Sequence, residues 1–213
     1  MGAVPLILCV TGPMAAGKNA AASILEQRGY ACIDADLAGH KAVENAREKI
    51  FGRFAEEAKK RGLSLMNEDG SVNRRALGEV VFSSPQLLQA HEAIVYPETE
   101  RIIRKFIEEN QKDSSIPGVV INAAVLYKTP EILRQVQFVL YVDAPLIMRY
   151  FRARKRDGLP TKKILERFAS QKNLFAKYQN SNADIQRVWN TGSRRSLEKK
   201  ILKVLAASAK GKK

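Results

Sequence analysis

A chain of 213 residues that is 45% hydrophobic has enough apolar material for a sizeable core, which excludes a disordered or fibrous polypeptide. Lys and Arg number 36 against 22 Asp and Glu, a net charge of +14, so the expected partners are anionic: nucleic acid or polyphosphate metabolites. The two cysteines sit in separate apolar runs and read as free buried thiols, and the run at 4–10 is too short to span a bilayer and lacks a basic leader, so a cytoplasmic protein with no membrane association is expected. Part of the positive charge lies in the closing Lys210-Gly211-Lys212-Lys213, which reads as a solvated tail.

Residues 4–10 form the first expected strand, and a helix is expected over about 18–28, stopped by Gly29. Between them Gly12-Pro13-Met14-Ala15-Ala16-Gly17-Lys18-Asn19-Ala20 fits the pattern G-x-x-x-x-G-K. Strand, glycine-rich loop and helix together are the layout of a phosphate-binding loop. The glycines let successive backbone N–H groups turn inward onto phosphate oxygens, and the helix adds its unpaired N-terminal N–H groups. Lys18 supplies a full charge for the β- and γ-phosphates. The residue after the lysine is ordinarily Ser or Thr, whose hydroxyl holds Mg²⁺. Here it is Asn19, whose amide oxygen a hard cation can accept but which reaches one atom further.

Residues 30–33 read as a second strand running into Asp34-Ala35-Asp36. Strand, helix and strand within about thirty residues make a βαβ unit, so the two strands are expected to be parallel. Ligands sit beyond the carboxyl ends of such strands, which directs Asp34 and Asp36 to the phosphate crevice as a base for a hydroxyl or a ligand for Mg²⁺. The plainer reading makes Asp36 a cap for the next helix. Residues 37–61 are helical in pattern, 67–70 form a turn, and Asn73 is expected to cap a helix over 74–82. Ser84-Pro85 opens a helix to about 95, and Pro97 stands near the start of another that ends near 110. With no strand in sight, 37–95 reads as a helical insertion.

A polar loop over 112–118 leads to an apolar strand at 119–122; a short helix starts at Thr129-Pro130-Glu131; a fourth strand covers 138–142 and meets Asp143. From Leu146 the chain turns helical and basic, with Arg149, Arg152, Arg154, Lys155 and Arg156. Arg152 and Arg156 are four apart and share a face. After a turn at 157–160, Thr161 is expected to cap a helix through Gln171 toward Tyr178, making a basic hairpin able to close over phosphates as a lid. A last strand at 185–189, a turn at Asn190-Thr191-Gly192 and a helix capped by Ser193 complete the chain. There are no repeats, no metal-ligand Cys/His cluster and no Ser–His–Asp arrangement, and His40 and His91 are isolated in sequence.

These residues together resemble the dephospho-coenzyme A kinase family, P-loop kinases of the nucleoside-monophosphate-kinase type, from residue 4 to about 205. The resemblance lies in Thr11-Gly12 to Lys18, in Ile33-Asp34-Ala35-Asp36, in Asp69-Gly70-Ser71-Val72-Asn73-Arg74-Arg75-Ala76-Leu77 followed by Val81-Phe82, and in Ala183-Asp184 with Asn190-Thr191-Gly192. It implies an α/β, three-layer P-loop fold with a mostly parallel sheet of about five strands. The nucleotide-binding core would comprise 1–36, 96–148 and 180–213, the helical coenzyme-binding insertion 37–95, and the lid 149–179. The implied activity is transfer of the ATP γ-phosphoryl group, with Mg²⁺, to the ribose 3′-hydroxyl of dephospho-coenzyme A. On that resemblance Asp36 is the base, Asp34 orients the hydroxyl or helps the metal with Asn19, and Arg74 and Tyr96 lie at the substrate. Arg152 and Arg156 come from the lid onto the transferring phosphate, and Asn190 and Gly192 lie by the adenine. A monomer or small homo-oligomer acting on small molecules is expected, and nucleic acid is not, because no aromatic-interleaved basic strand appears.

The chain departs from the family pattern at several positions. Besides Asn19, the family's D-x-P-L-L-F-E stretch is Asn122-Ala123-Ala124-Val125-Leu126-Tyr127-Lys128, a His-Pro is Tyr96-Pro97, and Ala183-Asp184 stands one residue further from Asn190. These departures keep two alternatives open: another small-molecule P-loop kinase with a changed acceptor, or a nucleotide-binding protein with little catalysis.

Overall fold

The computed structural model describes residues 5–180 and 183–210, the side chains of 209 and 210 excepted. The expected strand start at Val4 and the basic tail at 211–213 lie outside the described residues. Two compact units are present, one built from 1–34 with 106–213 and the other from 35–105.

The first unit carries a five-stranded sheet of β1 (Leu6–Thr11), β2 (Ala31–Asp34), β3 (Gly118–Asn122), β4 (Phe138–Asp143) and β5 (Ile185–Trp189). The order is β2-β3-β1-β4-β5 and every pair is parallel. β1, β3 and β4 are near-continuous apolar runs because helices cover both faces. Strand periodicity sorts the side chains. Leu8, Val10, Val120, Leu140, Val142 and Val188 pack on one face against α1 (Lys18–Glu26) and α10 (Arg194–Lys210). α1 contributes Ala21, Ile24 and Leu25, and α10 contributes Leu197 and Ile201, each at helical spacing. The opposite face meets α9 (Leu174–Gln179), whose Phe175 lies edge-on to Tyr141 at 4.9 Å.

The short helix expected at Thr129-Pro130-Glu131 is α6 (Pro130–Leu133), and two other expected helices are each divided. The stretch from Thr161 toward Tyr178 is α8 (Thr161–Ser170) followed by α9. The break has a packing reason: Phe168 of α8 joins Ala153 of α7 (Leu146–Asp157) in a cluster that also receives Met14 and Ala15, whereas Phe175 and Tyr178 of α9 turn to the sheet. Thr161 is the first helical residue rather than the cap, and its hydroxyl bonds the Tyr150 hydroxyl at 2.9 Å.

In the second unit, 37–61 divides into α2 (Ala35–Asn45) and α3 (Arg47–Lys59) at Ala46. Both halves bury apolar residues in one cluster, including Val43, Ile50 and Phe54, with Leu77 and Val80 of α4 (Arg74–Val81). Asn73 caps α4 as expected, its Oδ1 accepting the Ala76 N–H at 3.1 Å. The helix break expected near Pro97 is absent: α5 (Pro85–Asn110) runs through it. A proline inside a helix costs about 3 kcal/mol. Val95, Thr99, Ile103 and Ile107, four apart and all buried, form one continuous stripe across the proline. Burying each apolar member contributes about 1.5–3 kcal/mol, enough to carry the helix through.

Candidate active site

The loop between β1 and α1 has the shape of an anion nest. Gly12 has φ +153°, and a Cβ there would stand 2.0 Å from the Val142 carbonyl oxygen of β4. Ala15 adopts φ +60°, and the Ala16 N–H closes a turn onto the Pro13 carbonyl at 3.0 Å. Gly17 has φ +110°, and a Cβ there would meet the Asn190 amide nitrogen at 2.2 Å. α1 then begins at Lys18 with no side-chain cap, so the positive end of its dipole stands at the loop.

Outward-facing carbonyls of this loop are taken by donors from elsewhere in the same unit. Arg149 Nε donates to Met14 O at 2.9 Å, its guanidinium 4.4 Å from the Phe168 ring centre. Arg152 donates to Ala16 O at 3.4 Å and to Asn190 O at 3.1 Å. The Asn190 amide donates to Ala16 O at 2.9 Å, and Gln171 Oε1 accepts the Met14 N–H at 2.7 Å. Bracing carbonyls from outside helps hold N–H groups inward. Arg156, one turn beyond Arg152, is paired with Asp157 at 2.6 Å. Gln171 has no marker in sequence. Arg149 does: it lies three residues before Arg152 on the same helix.

Beside the nest, residues from three elements meet. Asp34 and Asn122 are register partners at the ends of β2 and β3, and Asn122 shares the α1-facing side with Val120. The Asn122 amide therefore reaches both Asp34 Oδ2, at 2.9 Å, and Asn19 Oδ1, at 3.2 Å, above the first turn of α1. Lys18 Nζ also donates to Asn19 Oδ1, at 3.3 Å. Asn122 is buried, and its own Oδ1 has no hydrogen-bond partner among the described residues. Such an atom ordinarily costs about 1–3 kcal/mol and calls for a functional or structural reason. Oxygen donors of this kind suit a hard cation such as Mg²⁺.

Under the loop, Tyr178 is fully buried. Its hydroxyl accepts the Leu126 N–H at 2.9 Å and the Thr11 hydroxyl at 3.2 Å, tying α9 to the strand that feeds the loop. Tyr178→Phe should leave that buried N–H unpaired, lower stability by about 1–3 kcal/mol and lower Tm by about 2–4 °C per kcal/mol, read by thermal denaturation. Cys9 lies alongside, and burial pushes its thiol up to about 12, so it is an inert packing group rather than a nucleophile.

The remaining expected site residues belong to the second unit or the β5 end. Asp36 is exposed in the first turn of α2 and not on the strand, so the acids at 34 and 36 stand on different elements. Arg74 is the exposed first residue of α4, and the Tyr96 hydroxyl donates to Glu92 at 3.0 Å. Gly192 is exposed in the turn after β5, three residues beyond Trp189, which is 43% exposed and lies with its ring centre 4.4 Å from the Arg187 guanidinium. Arg187 also pairs with Asp143, the register partner of Trp189.

A parallel sheet in this strand order, with a glycine-rich nest between its central strand and the following helix, defines a P-loop nucleotide-binding protein of the kinase type. A family model for dephospho-CoA kinase matches residues 6–192, and the chain belongs to that family. It is 39% identical over 198 residues to the dephospho-CoA kinase of Treponema denticola, covering 93% of this chain and 88% of the relative. It is 38% identical over 195 residues to that of Treponema pallidum, covering 92% of each. A crystal structure from Thermus thermophilus superposes with a TM-score of 0.76 at 32% identity, covering 96% of this chain and 98% of that one. The dephospho-CoA kinase of Campylobacter jejuni shares the fold, with a TM-score of 0.64 at 20% identity, covering 97% and 98%.

Proposed function

We propose that the protein transfers the γ-phosphoryl group of ATP to the ribose 3′-hydroxyl of dephospho-CoA, giving CoA and ADP. The observation that carries this reading is the braced nest of Gly12 to Lys18 in a chain of this family. Phosphoryl transfer asks a protein mainly for positioning and charge stabilisation. The loop of residues 12–20 and the Lys18 ammonium hold the triphosphate, through those backbone N–H groups that the loop does not itself use: Pro13 has none, and those of Met14 and Ala16 bond Gln171 and Pro13. Asn19 and Asp34 would hold Mg²⁺, which neutralises β- and γ-phosphate oxygens when bound. Asp36 accepts the proton of the attacking 3′-hydroxyl, Asp34 helps orient it, and Arg74 and Tyr96 hold the acceptor. Arg152 and Arg156 meet charge on the transferring group, Arg152 exchanging its bonds to Ala16 and Asn190 for phosphate oxygens. The adenine lies against the turn that contains Asn190 and Gly192. The reaction is assigned to the cytoplasm, where free thiols such as Cys9 and Cys32 persist.

The test is a coupled assay with ATP, Mg²⁺ and dephospho-CoA, in which ADP release must require the acceptor. ADP release with some other metabolite and none with dephospho-CoA rejects the proposed acceptor. Adenine placement has its own readout, because the chain contains one tryptophan and that residue precedes Asn190. Titration with ATP should change Trp189 emission saturably, and titration with inorganic triphosphate should not. Equal responses to both would remove the base from this turn.

A further inference from the structure

The amide at 122 bridges the groups that would take a divalent cation, and its geometry bears on when they can take one. Asn122 Nδ2 donates to the Asp34 carboxylate at 2.9 Å and to the Asn19 carbonyl oxygen at 3.2 Å. The orientation of this amide follows from its neighbours. Turned over, its oxygen would face a carboxylate and a second carbonyl, both acceptors. Asn19 Oδ1 also receives Lys18 Nζ at 3.3 Å, so both lone-pair directions of that oxygen are engaged. The cluster of Asn19, Asn122 and Asp34 therefore holds one carboxylate, a doubly bonded amide oxygen, and the partnerless Asn122 Oδ1 buried behind them. Affinity of oxygen sites for divalent cations follows the number of charged ligands and their freedom to coordinate. By both criteria this site is poor for a bare cation.

A triphosphate in the nest changes both terms. It adds phosphate oxygens, and it draws Lys18 to the β- and γ-phosphates, which releases one direction on Asn19 Oδ1. We propose that Asn122 is a positioning residue that makes cation binding depend on the nucleotide: it holds Asp34 and Asn19 together through a neutral amide, so the site takes a divalent cation only when the triphosphate is present. The inference rests on the loop holding a nucleoside triphosphate with its cation, and it is independent of the acceptor.

The experiment is a Mn²⁺ titration of the full chain followed by electron paramagnetic resonance, with and without a non-hydrolysable ATP analogue. Wild type should leave Mn²⁺ free without the analogue and bind it with the analogue. Asn122→Asp puts a second carboxylate beside Asp34, so it should bind Mn²⁺ without nucleotide roughly tenfold or more tighter than wild type. Its melting temperature should rise with added Mn²⁺, while that of wild type stays constant. If Asn122→Asp binds bare Mn²⁺ no tighter than wild type, or wild type already binds it as tightly without the analogue as with it, the proposal is overturned. Asn122→Ser keeps the site neutral but cannot span both partners. It should raise the Mn²⁺ concentration for half-saturation in the presence of the analogue several-fold, with affinity for the metal-free analogue unchanged. An unchanged Mn²⁺ midpoint in that variant also overturns it. Failure of dephospho-CoA as acceptor leaves all these readings intact, so the two proposals fail separately.

Discussion

Asp36→Asn should lower kcat by roughly 10²–10⁴-fold while ATP affinity, read from Trp189 emission, changes little. The substitution keeps shape and removes the only property a base needs, a lone pair able to take a proton at neutral pH. Asp36 lies in the first turn of α2, two residues beyond the end of β2, and is exposed. That position also suits an ordinary first-turn acid, whose loss would cost about 0.3–1 kcal/mol of stability and no turnover. The two readings separate cleanly. A small Tm shift with wild-type kcat would assign Asp36 to the helix, and a large fall in kcat at constant Tm assigns it to proton transfer.

Gly12→Ala should damage the fold itself. The new methyl group would stand 2.0 Å from the Val142 carbonyl oxygen, which belongs to backbone paired with β5, and Gly12 itself directly follows β1. No rotamer change relieves that contact, and φ +153° adds strain for any L side chain. Relief requires β4 or the loop entrance to move, with an expected cost of about 3 kcal/mol or more and a Tm lower by about 6–12 °C. ATP affinity should fall as well, since the nest is built on this entrance. The neighbouring glycine provides the contrast. At Gly17 the obstructing atom is the Asn190 side-chain amide, so Gly17→Ala combined with Asn190→Ala should recover part of the stability that Gly17→Ala alone loses. A Gly12→Ala protein melting within about 2 °C of wild type would mean that this contact is not tight in solution.

Local chemistry accounts for the elements that were legible along the chain. The loop glycines, the Asn73 cap and the apolar runs of β1, β3 and β4 each depend on a few adjacent residues, so their signals survive in sequence. The misread elements share a different cause. Pro97 by its own chemistry delimits a helix, and the buried stripe from Val95 to Ile107 overrides it. The helix from Thr161 toward Tyr178 divides because Phe168 and Phe175 face different packing partners. The sequence presents Asp34 and Asp36 as one pair of strand-end acids, yet α2 begins between them.

Sequence by itself determined the phosphate-binding loop and the first parallel βαβ unit, because these follow from spacing and residue type over short stretches, and through its resemblance it implied the family and a mostly parallel sheet of about five strands. It also exposed Asn19 and Asn122 as two separate departures from the family pattern. Only the tertiary structure joined them: parallel register sets Asp34 opposite Asn122, strand alternation turns both toward α1, and α1 begins where the loop delivers Asn19. It likewise decided that Arg149, Arg152, Gln171 and Asn190 brace the loop from outside. Residues more than a hundred positions apart meet only through sheet order and helix packing, and no local pattern along the chain encodes that meeting.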